Sequence, residues 1–330
     1  MHTRTWFLAS WFPFASWLSC ASSHSLGQAP RPLGVPAATL PTLNTSGVPQ
    51  PAGAAGNLKV LNWAGRKGAA SYTFDDGGAS QLDHYAELHR LGVRMTFYLT
   101  TNSETMSNPL WRQAALDGHE LGNHTQTHPP TADGKDIDAA TTFIQAHFGV
   151  TPYTMAAPYG NPSFIQPAKS RFLANRGVVN GLVKPLDHSD PFNLPCYGPA
   201  TGARATDMNP QMDSALASGG WRIVLVHGFT GGSDGAYQPI AIEEFTTAVT
   251  YAKNLGLWVD SVVNVAAYWI GQKVVAAATP TTSGADLIYT WHPPRNFPRE
   301  NSYASPSAVA PRNKTAWPYP GTTKASTKSR

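Results

Sequence analysis

Two consecutive carboxylates, Asp75 and Asp76, come directly after the apolar run Ala69–Phe74 and before a pair of glycines. Burying two carboxylates is costly unless they are paired or bound to a metal. Adjacent side chains on a strand point in opposite directions, so both carboxylates approach one site only if the chain turns there. The glycines permit that turn because they tolerate positive φ. Asp-Gly is also ordinary turn chemistry, and Asp a common helix N-cap, so the pair by itself fits a structural or a functional role.

Two histidines four residues apart, His124 and His128, follow a short strand-like run at residues 119–121. Imidazoles at this spacing can lie on one face of a helix, or on a tight loop, and bind one ion. The chain has 11 histidines, so such a spacing also arises by chance and the pair needs a further ligand to indicate a site. Two imidazoles and one carboxylate make the three-ligand arrangement of catalytic metals, which leaves one position for water.

A third histidine, His227, stands where the apolar run at residues 223–226 ends. An imidazole in that place can transfer protons near neutral pH, although for His227 considered alone a core histidine bonded to backbone is the favoured interpretation. The three chain positions together indicate a hydrolase. A metal lowers the pKa of its bound water to about 7, a spare carboxylate takes the proton, and an imidazolium protonates the leaving group.

Short apolar runs alternate with amphipathic stretches between about residues 58 and 272. This alternation predicts parallel βαβ units with helices packed outside a sheet or barrel. In such folds the chemistry gathers where strands end and loops begin. The predicted strands are residues 69–74, 95–99, 153–156, 222–226, 257–259 and 287–291, and the predicted helices cover residues 82–91 and 242–255 and a stretch that ends at Phe148.

Four segments resemble the motifs of the NodB-type polysaccharide deacetylases, carbohydrate esterase family 4, in the family's order. They are Thr-Phe-Asp-Asp-Gly at 73–77, His-Thr-Gln-Thr-His at 124–128, Ala-Pro-Tyr-Gly at 157–160 and Leu-Val-His at 225–227. The resemblance runs from about residue 69 to residue 269. The first two motifs are specific, whereas the last would mean little by itself.

The resemblance implies an α/β fold, a distorted (β/α) barrel, and a hydrolase that uses Zn²⁺ or a similar divalent ion to remove acetyl groups from sugars. The implied residues are Asp75 as general base, Asp76, His124 and His128 as metal ligands, His227 as general acid, the backbone N–H of Tyr159 as an oxyanion donor and Leu225 in the acetyl-methyl pocket. The implied substrate is an N-acetylated (less so an O-acetylated) polysaccharide or oligosaccharide, such as a chitooligosaccharide or peptidoglycan.

One departure from the family concerns the base. Ala156 stands where the family carries an arginine that braces the base carboxylate. Its loss predicts a loosely held Asp75 unless another residue substitutes. One alternative is therefore that the protein is a catalytically weak or inactive, glycan-binding relative of the deacetylases. A second alternative is a metal-dependent amidase that acts on a small substrate. Intact Asp75 and His227 favour catalysis, because a binding module needs neither a base nor an acid.

The fourth motif of the family is not evident, so the partner of His227 stays open. Asp187, Asp190 and Asp260 are all candidate carboxylates for it.

Aromatic residues near the predicted strand ends have two interpretations. Trp221, Trp258, Trp269 and Tyr159 can offer faces on which sugars stack. Large aromatics usually fill cores, so apolar packing is the favoured interpretation for each Trp.

The two ends of the chain differ in composition from its body. Residues 1–27 contain a basic residue, Arg4, followed by an apolar stretch, and they contain no acidic residue. This pattern predicts a signal peptide rather than a membrane span. Residues 28–56 predict a disordered Pro/Ala/Gly-rich tether, 57–272 the deacetylase-like domain, and 273–330 a short β segment with a disordered basic tail. We therefore expect an exported protein that is secreted, periplasmic or associated with the cell envelope.

Charge and cysteine content exclude other classes. The formal net charge is +4, but the residues from Pro294 onward carry +6 and the others −2, which disfavours a nucleic-acid-binding body. The two cysteines are Cys20, which lies in the predicted signal peptide, and Cys196. They provide neither a disulfide framework nor a multi-thiolate metal cage.

Overall fold

The computed structural model describes residues 60–283, 286–292, 294, 296–298 and 322–325. The predicted signal peptide, the predicted tether and most of the predicted tail lie outside the described residues.

Seven parallel strands form one sheet in the body of the chain. They are β1 (Ala69–Phe74), β2 (Thr96–Leu99), β3 (Glu120–Asn123), β4 (Thr154–Ala156), β5 (Ala174–Arg176), β6 (Trp221–Val226) and β7 (Trp258–Val259). Their spatial order is β5-β4-β3-β2-β1-β6, and β7 pairs with the first two residues of β1. Because all these strands run in the same direction, the residues that follow them gather at one end of the sheet.

The segment after β5 closes the sheet against β6. Isolated bridges join Arg176 to Leu194 and Tyr197 to Val224 in parallel fashion. An antiparallel bridge joins Val183 to Trp221. The sheet thus curls into a distorted (β/α) barrel, which confirms the predicted fold class.

In the part of the chain that the structure describes, eight α-helices connect these strands and extend the chain beyond them. They are α1 (Ala79–Asp83), α2 (Tyr85–Arg90), α3 (Leu110–Leu116), α4 (Gly134–Phe148), α5 (Ile165–Lys169), α6 (Ala205–Ser218), α7 (Ile242–Asn254) and α8 (Val262–Ala276). Local chemistry sets the ends of α4. The Asp133 carboxylate accepts a hydrogen bond from Lys135 N at 2.9 Å, and Gly149 ends the helix at φ +74°.

The two faces of each strand bury different clusters, because side chains alternate along a strand. Phe74 faces the helices and packs on Phe97, Phe229 and Phe245, with ring centroids 5.1–5.8 Å apart. Truncating such a buried ring to Ala costs about 3–5 kcal/mol. Asp75, the next residue, is therefore directed to the inside of the barrel.

The predicted elements are largely present. Strand β1 has the predicted bounds, and β6 and α7 differ from the predicted ranges by one residue at one end. The predicted helix at 82–91 is two short helices that meet at His84. Strand β5 was not predicted, since three residues are too few to show a period.

A second, antiparallel sheet follows the barrel. Strands β8 (Pro280–Ser283), β9 (Asp286–Thr290) and β10 (Thr322–Ala325) pair in the order β10-β9-β8. The predicted strand at 287–291 is therefore the centre of a small β unit, and α8 continues past the predicted boundary at residue 272. Within the described part of the chain, no helix combines the length and apolarity needed to cross a bilayer.

Candidate active site

Asp76, His124 and His128 converge at the carboxyl ends of β1 and β3. One ligand atom from each lies within 4.8 Å of the other two. Asp76 Oδ1 is 3.5 Å from His124 Nε2 and 3.7 Å from His128 Nε2. Zinc–ligand bonds of 2.0–2.2 Å in tetrahedral geometry place ligand atoms about 3.3 Å apart, so this triad needs little adjustment to hold one ion. The structure thus brings together the three predicted ligands.

The backbone at this site adopts left-handed conformations that ordinary residues seldom take. Asp76, Thr125, His128 and Tyr159 have φ of +72°, +68°, +55° and +56°. They are four of the seven non-glycine residues with positive φ in the described part of the chain. Such conformations cost free energy and persist only where surrounding contacts impose them, and they cluster at functional sites.

Backbone and side-chain contacts hold the histidine loop in that conformation. The Asp136 carboxylate accepts hydrogen bonds from Gln126 N at 2.8 Å and Thr127 Oγ1 at 2.7 Å. His128 N donates to Thr125 Oγ1 at 3.0 Å. The imidazoles are therefore presented by a braced loop.

The second ring nitrogen of His124 is fixed as in many metal sites. His124 Nδ1 lies 2.9 Å from Ala156 O and takes the N–H there, because a carbonyl only accepts. This bond leaves the Nε2 lone pair directed at Asp76. A partner of this kind orients a metal-binding imidazole and selects its tautomer.

The charges of the site favour a cation. Burial alone would raise the pKa of Asp76, but His124, His227 and His128 outweigh it and lower that pKa to about 2. Burial alone would lower the pKa of His124, yet Asp75 and Asp76 raise it. The pKa of His128 is lowered by burial and by His124. The negative field that favours positive charge on His124 would equally favour a bound metal ion.

Asp75 stands beside the triad and is held by Arg176 from β5. Arg176 Nη2 donates to both carboxylate oxygens of Asp75, at 2.5 Å to Oδ1. Both side chains are buried, Arg176 completely. Burial alone would lower the pKa of Arg176, but the Asp75 carboxylate outweighs it and raises that pKa. Asp75 Oδ2 is 3.7 Å from His124 Nε2, so the braced carboxylate lies directly beside the triad of Asp76, His124 and His128.

Another residue, Arg176, thus supplies the cation beside Asp75 that Ala156 lacks. Ala156 and Arg176 are register partners in the parallel β4–β5 pair. The small side chain of Ala156 is fully buried, and the guanidinium comes instead from the neighbouring strand. The sequence gives no sign of this substitution, because it depends on which strand lies beside β4.

His227 follows β6 on its inner face. Leu225, two residues earlier, points to the same side and is 8 % exposed, as expected for the floor of a pocket. The Tyr237 ring stands edge-on to the imidazole at 5.1 Å. Among the described residues, no hydrogen bond or ion pair joins the His227 side chain to a carboxylate.

All three candidate partners of His227 are engaged elsewhere. Asp260 pairs with Arg94 at 2.5 Å, Asp187 accepts from Lys184 N at 2.7 Å and Ser189 Oγ at 2.8 Å, and Asp190 accepts from Phe192 N at 2.9 Å. Asp260 N donates to Ala70 O, at the start of β1, which places this carboxylate at the opposite end of the barrel from His227.

Gln81 is a further site residue that the sequence analysis did not identify. Its Nε2 donates to Asp75 O at 2.6 Å and to His227 O at 2.7 Å, and its side chain is buried. One amide thus joins the backbone of the predicted base to that of the predicted acid. The sequence does not reveal this role, because it depends on where α1 lies relative to the ends of β1 and β6.

Tyr159 lies in a short 3₁₀ turn after β4. The turn's hydrogen bonds run from Gly160 N to Ala157 O and from Asn161 N to Pro158 O, and neither uses the Tyr159 amide. The Tyr159 ring is 67 % exposed and lies 4.6 Å from the His128 ring.

The three tryptophans Trp221, Trp258 and Trp269 are buried, so the packing interpretation is confirmed for them.

The sequence of this chain is similar to those of known proteins. Residues 64–171 match the family model described as polysaccharide deacetylase, which confirms the resemblance found in the motifs. A gellan lyase from Bacillus sp is 29% identical over 199 residues, which are 52% of this chain and 8% of that protein. The chain therefore spans less than a tenth of that relative's length.

Two solved structures are similar to this chain in fold. The Xyl-CE4 domain of a multidomain xylanase from the hindgut metagenome of Trinervitermes trinervoides is 20% identical, with a TM-score of 0.42 over 60% of this chain and 89% of that one. A family 4 acetyl xylan esterase from Clostridium thermocellum, in complex with cobalt, is 17% identical, with a TM-score of 0.42 over the same shares of the two chains.

Proposed function

We propose that this chain, whose residues 64–171 belong to the polysaccharide deacetylase family, is a zinc-dependent hydrolase that removes acetyl groups from an N-acetylated glycan. The observation that supports this proposal most is that the adjacent carboxylates Asp75 and Asp76 have different partners. Asp76 lies against both imidazoles, whereas both carboxylate oxygens of Asp75 accept hydrogen bonds from Arg176. A triad alone would serve binding, but a braced carboxylate beside it is suited to accept a proton.

The donor set supports zinc as the metal. Two imidazoles and one carboxylate, with no thiolate, match the ligands of catalytic zinc sites that keep a position open. A divalent ion held there supplies a Lewis acid that polarises the acetyl carbonyl and acidifies water.

The remaining residues supply the proton transfers. Asp75 accepts one proton from the water whose oxygen adds to the acetyl carbon, while Arg176 keeps the carboxylate in place. The Tyr159 N–H donates to the oxygen of the carbonyl as it becomes negative. When the C–N bond breaks, His227 gives its proton to the amine nitrogen, so the products are acetate and a free amino sugar.

The alternative of an inactive glycan-binding relative loses its main support. That hypothesis rested on Ala156 and the missing arginine, and Arg176 fills the same role from β5. A metal-dependent amidase on a small substrate would use the same residues and differs only in what it accepts.

We also propose that the protein is exported, on the basis of the composition of residues 1–27. Mass spectrometry of the protein recovered from medium, periplasm or envelope tests this. A mature form that begins near residue 28 supports export, and an intact chain found only inside the cell contradicts it.

Acetate release is the direct test of the activity. Purified protein with one equivalent of Zn²⁺ is incubated with chitooligosaccharides, peptidoglycan and acetylxylan, each with and without chelator. Release from an N-acetylated glycan that stops with chelator supports the proposal. Release from a small acetamide but from none of the glycans would favour the amidase, and chelator-insensitive release would contradict the metal site.

A further inference from the structure

Most of the exposed large apolar side chains of the described residues lie at one end of the barrel. Tyr159, Val178, Val179 and Tyr237, here called the rim cluster, are 67%, 47%, 66% and 65% exposed. They follow the carboxyl ends of β4, β5 and β6, the end that carries the metal triad. The one other such side chain is Leu186. Exposed apolar surface collected in one place usually marks a binding site.

The two tyrosines of the rim cluster contact opposite parts of the catalytic machinery. The Tyr159 ring is 4.6 Å from the ring of His128, one of the predicted ligands. The Tyr237 ring is 5.1 Å from the ring of His227, the predicted acid, at an interplanar angle of 86°. A substrate held between metal and acid therefore has one exposed aromatic ring on each side.

The loop that carries Tyr237 is fixed rather than loose. The Asp234 carboxylate accepts from Ser80 N at 2.8 Å and from Ser80 Oγ at 2.7 Å. Ser80 Oγ also accepts from Phe229 N at 3.0 Å. Gln238, the residue after Tyr237, has φ of +47°. A left-handed residue in a loop braced to α1 indicates that the position of the ring is imposed by its surroundings.

The other half of the rim cluster is equally packed. A Cβ added at Gly160 would lie 2.3 Å from Val178 Cγ2, so the Tyr159 turn and the segment after β5 are in close contact. Val179 O accepts a hydrogen bond from Cys196 N at 2.9 Å. These contacts order the surface before any ligand arrives, which lowers the entropic cost of binding.

We infer that Tyr237 forms a subsite that stacks on the sugar next to the one being deacetylated, in an N-acetylated oligosaccharide. This rests on the proposed function. Pyranose rings present apolar C–H faces and polar edges, which suit an exposed tyrosine whose ring offers area and whose hydroxyl remains in water. Tyr237 thereby favours substrates of several sugars over a single acetylated sugar.

Leu186 provides a matched control. It is 59% exposed, close to the 65% of Tyr237, but belongs to the other end of the barrel. Nearby, Val183 pairs with Trp221, the first residue of β6, and Pro185 O accepts from Gln272 Nε2 at 2.6 Å. Removing the Leu186 side chain changes exposed apolar area without touching the rim cluster.

The test compares Tyr237→Ala, Tyr237→Phe and Leu186→Ala with wild type, all zinc-loaded, in acetate release from chitotetraose. We expect Tyr237→Ala to raise KM about tenfold, with kcat changed by less than about twofold. Tyr237→Phe should keep the wild-type KM because the ring remains, and Leu186→Ala should match wild type. An unchanged KM in Tyr237→Ala, or an equal rise in Leu186→Ala, would overturn the inference.

Calorimetric titration of chitotetraose separates this inference from the proposed function. If the wild type releases no acetate from any glycan, the proposed activity is wrong. The calorimetric binding data then still test whether Tyr237 forms the subsite. About tenfold weaker binding to Tyr237→Ala than to wild type would support the subsite. Equal binding to both, or no binding to wild type, would overturn it.

Discussion

Arg176 is the register partner of Ala156 across the β4–β5 pair, and its guanidinium reaches the carboxylate of Asp75. In the related family motif the arginine would stand at position 156 itself. The two positions are adjacent in space although twenty residues apart in sequence, so a cation for the base can come from either strand. The ion pair that the motif resemblance implies is therefore matched here by Arg176 and Asp75, with the arginine on the neighbouring strand.

The first prediction concerns Arg176→Ala. Removing one partner of a buried ion pair leaves an unpaired charge, which should cost about 3–5 kcal/mol of stability. Because Asp75 also loses its orientation, kcat should fall about 100-fold. Acetate release and denaturant unfolding measure the two effects.

A second buried arginine serves as the control for that variant. Arg222 donates to Asn180 Oδ1 at 2.8 Å and to Gly181 O at 2.6 Å, and it makes no bond to Asp75. Arg222→Ala should lose stability and keep its kcat. The double variant Ala156→Arg/Arg176→Ala should regain part of the lost turnover. Full activity in Arg176→Ala would show that Asp75 needs no brace.

His128→Ala should release zinc and abolish acetate release together. At a zinc concentration 100 times its Kd, binding stabilises the folded state by about 2.7 kcal/mol, so the melting temperature of wild type should fall with chelator and that of the variant should not. Metal analysis after dialysis and thermal melts provide the measurements. His147→Ala, which removes an exposed histidine of α4, should bind zinc as wild type does; stoichiometric zinc in His128→Ala would refute the ligand set.

Gln81→Leu should loosen the geometry between base and acid. The change leaves Asp75 O and His227 O without the amide donor, which should cost about 1–3 kcal/mol of stability. We expect kcat to fall about tenfold with zinc stoichiometry unchanged. Gln113→Leu, which removes an exposed amide bonded to Asp117, is the control and should change neither quantity. Equal kcat in wild type and Gln81→Leu would mean that the amide is merely structural.

His119 makes the stability of the fold depend on pH. Burial lowers the pKa of His119 from its usual value of about 6.5 to about 4, and the neighbouring His89 acts in the same direction. Its ring accepts a hydrogen bond from Met95 N at 3.0 Å and is 6% exposed. The unfolded chain binds a proton below pH 6.5 that the folded chain binds only below about pH 4. The stabilising contribution is thus complete above pH 6.5 and is lost as the pH falls through that window.

The loss through this window should amount to about 3 kcal/mol. Denaturant unfolding between pH 4 and pH 7 measures it. His119→Asn keeps an acceptor for Met95 N and should flatten the slope. The same slope in both proteins would assign the acid sensitivity to other groups.

Much of the site could be predicted from sequence because its residues follow strands with clear apolar runs. The strand before Asp75 and the strand before His227 have long, buried patterns, and their parallel pairing brings the two residues to one end of the barrel. The sequence does not reveal residues whose role depends on pairing between distant segments. Arg176 acts through the register of a three-residue strand, and Gln81 through hydrogen bonds from α1 to the residues that follow two separate strands.

The candidate partners of His227 illustrate the same limit. Asp260 follows an apolar strand, as Asp75 and His227 do, and the sequence pattern cannot distinguish it from them. Its strand, β7, pairs with the start of β1 instead of its end, so its carboxylate meets Arg94 at the far end of the barrel. Register, rather than local composition, decides which carboxylate enters the site.

Asp75→Asn separates the two proposed roles, Asp75 as base and Asp76 as metal ligand. The amide keeps the shape of the carboxylate but is a far weaker proton acceptor. We predict one equivalent of zinc per chain, as in wild type, and acetate release reduced at least 100-fold. Wild-type turnover, or loss of the zinc together with the activity, would contradict the assignment.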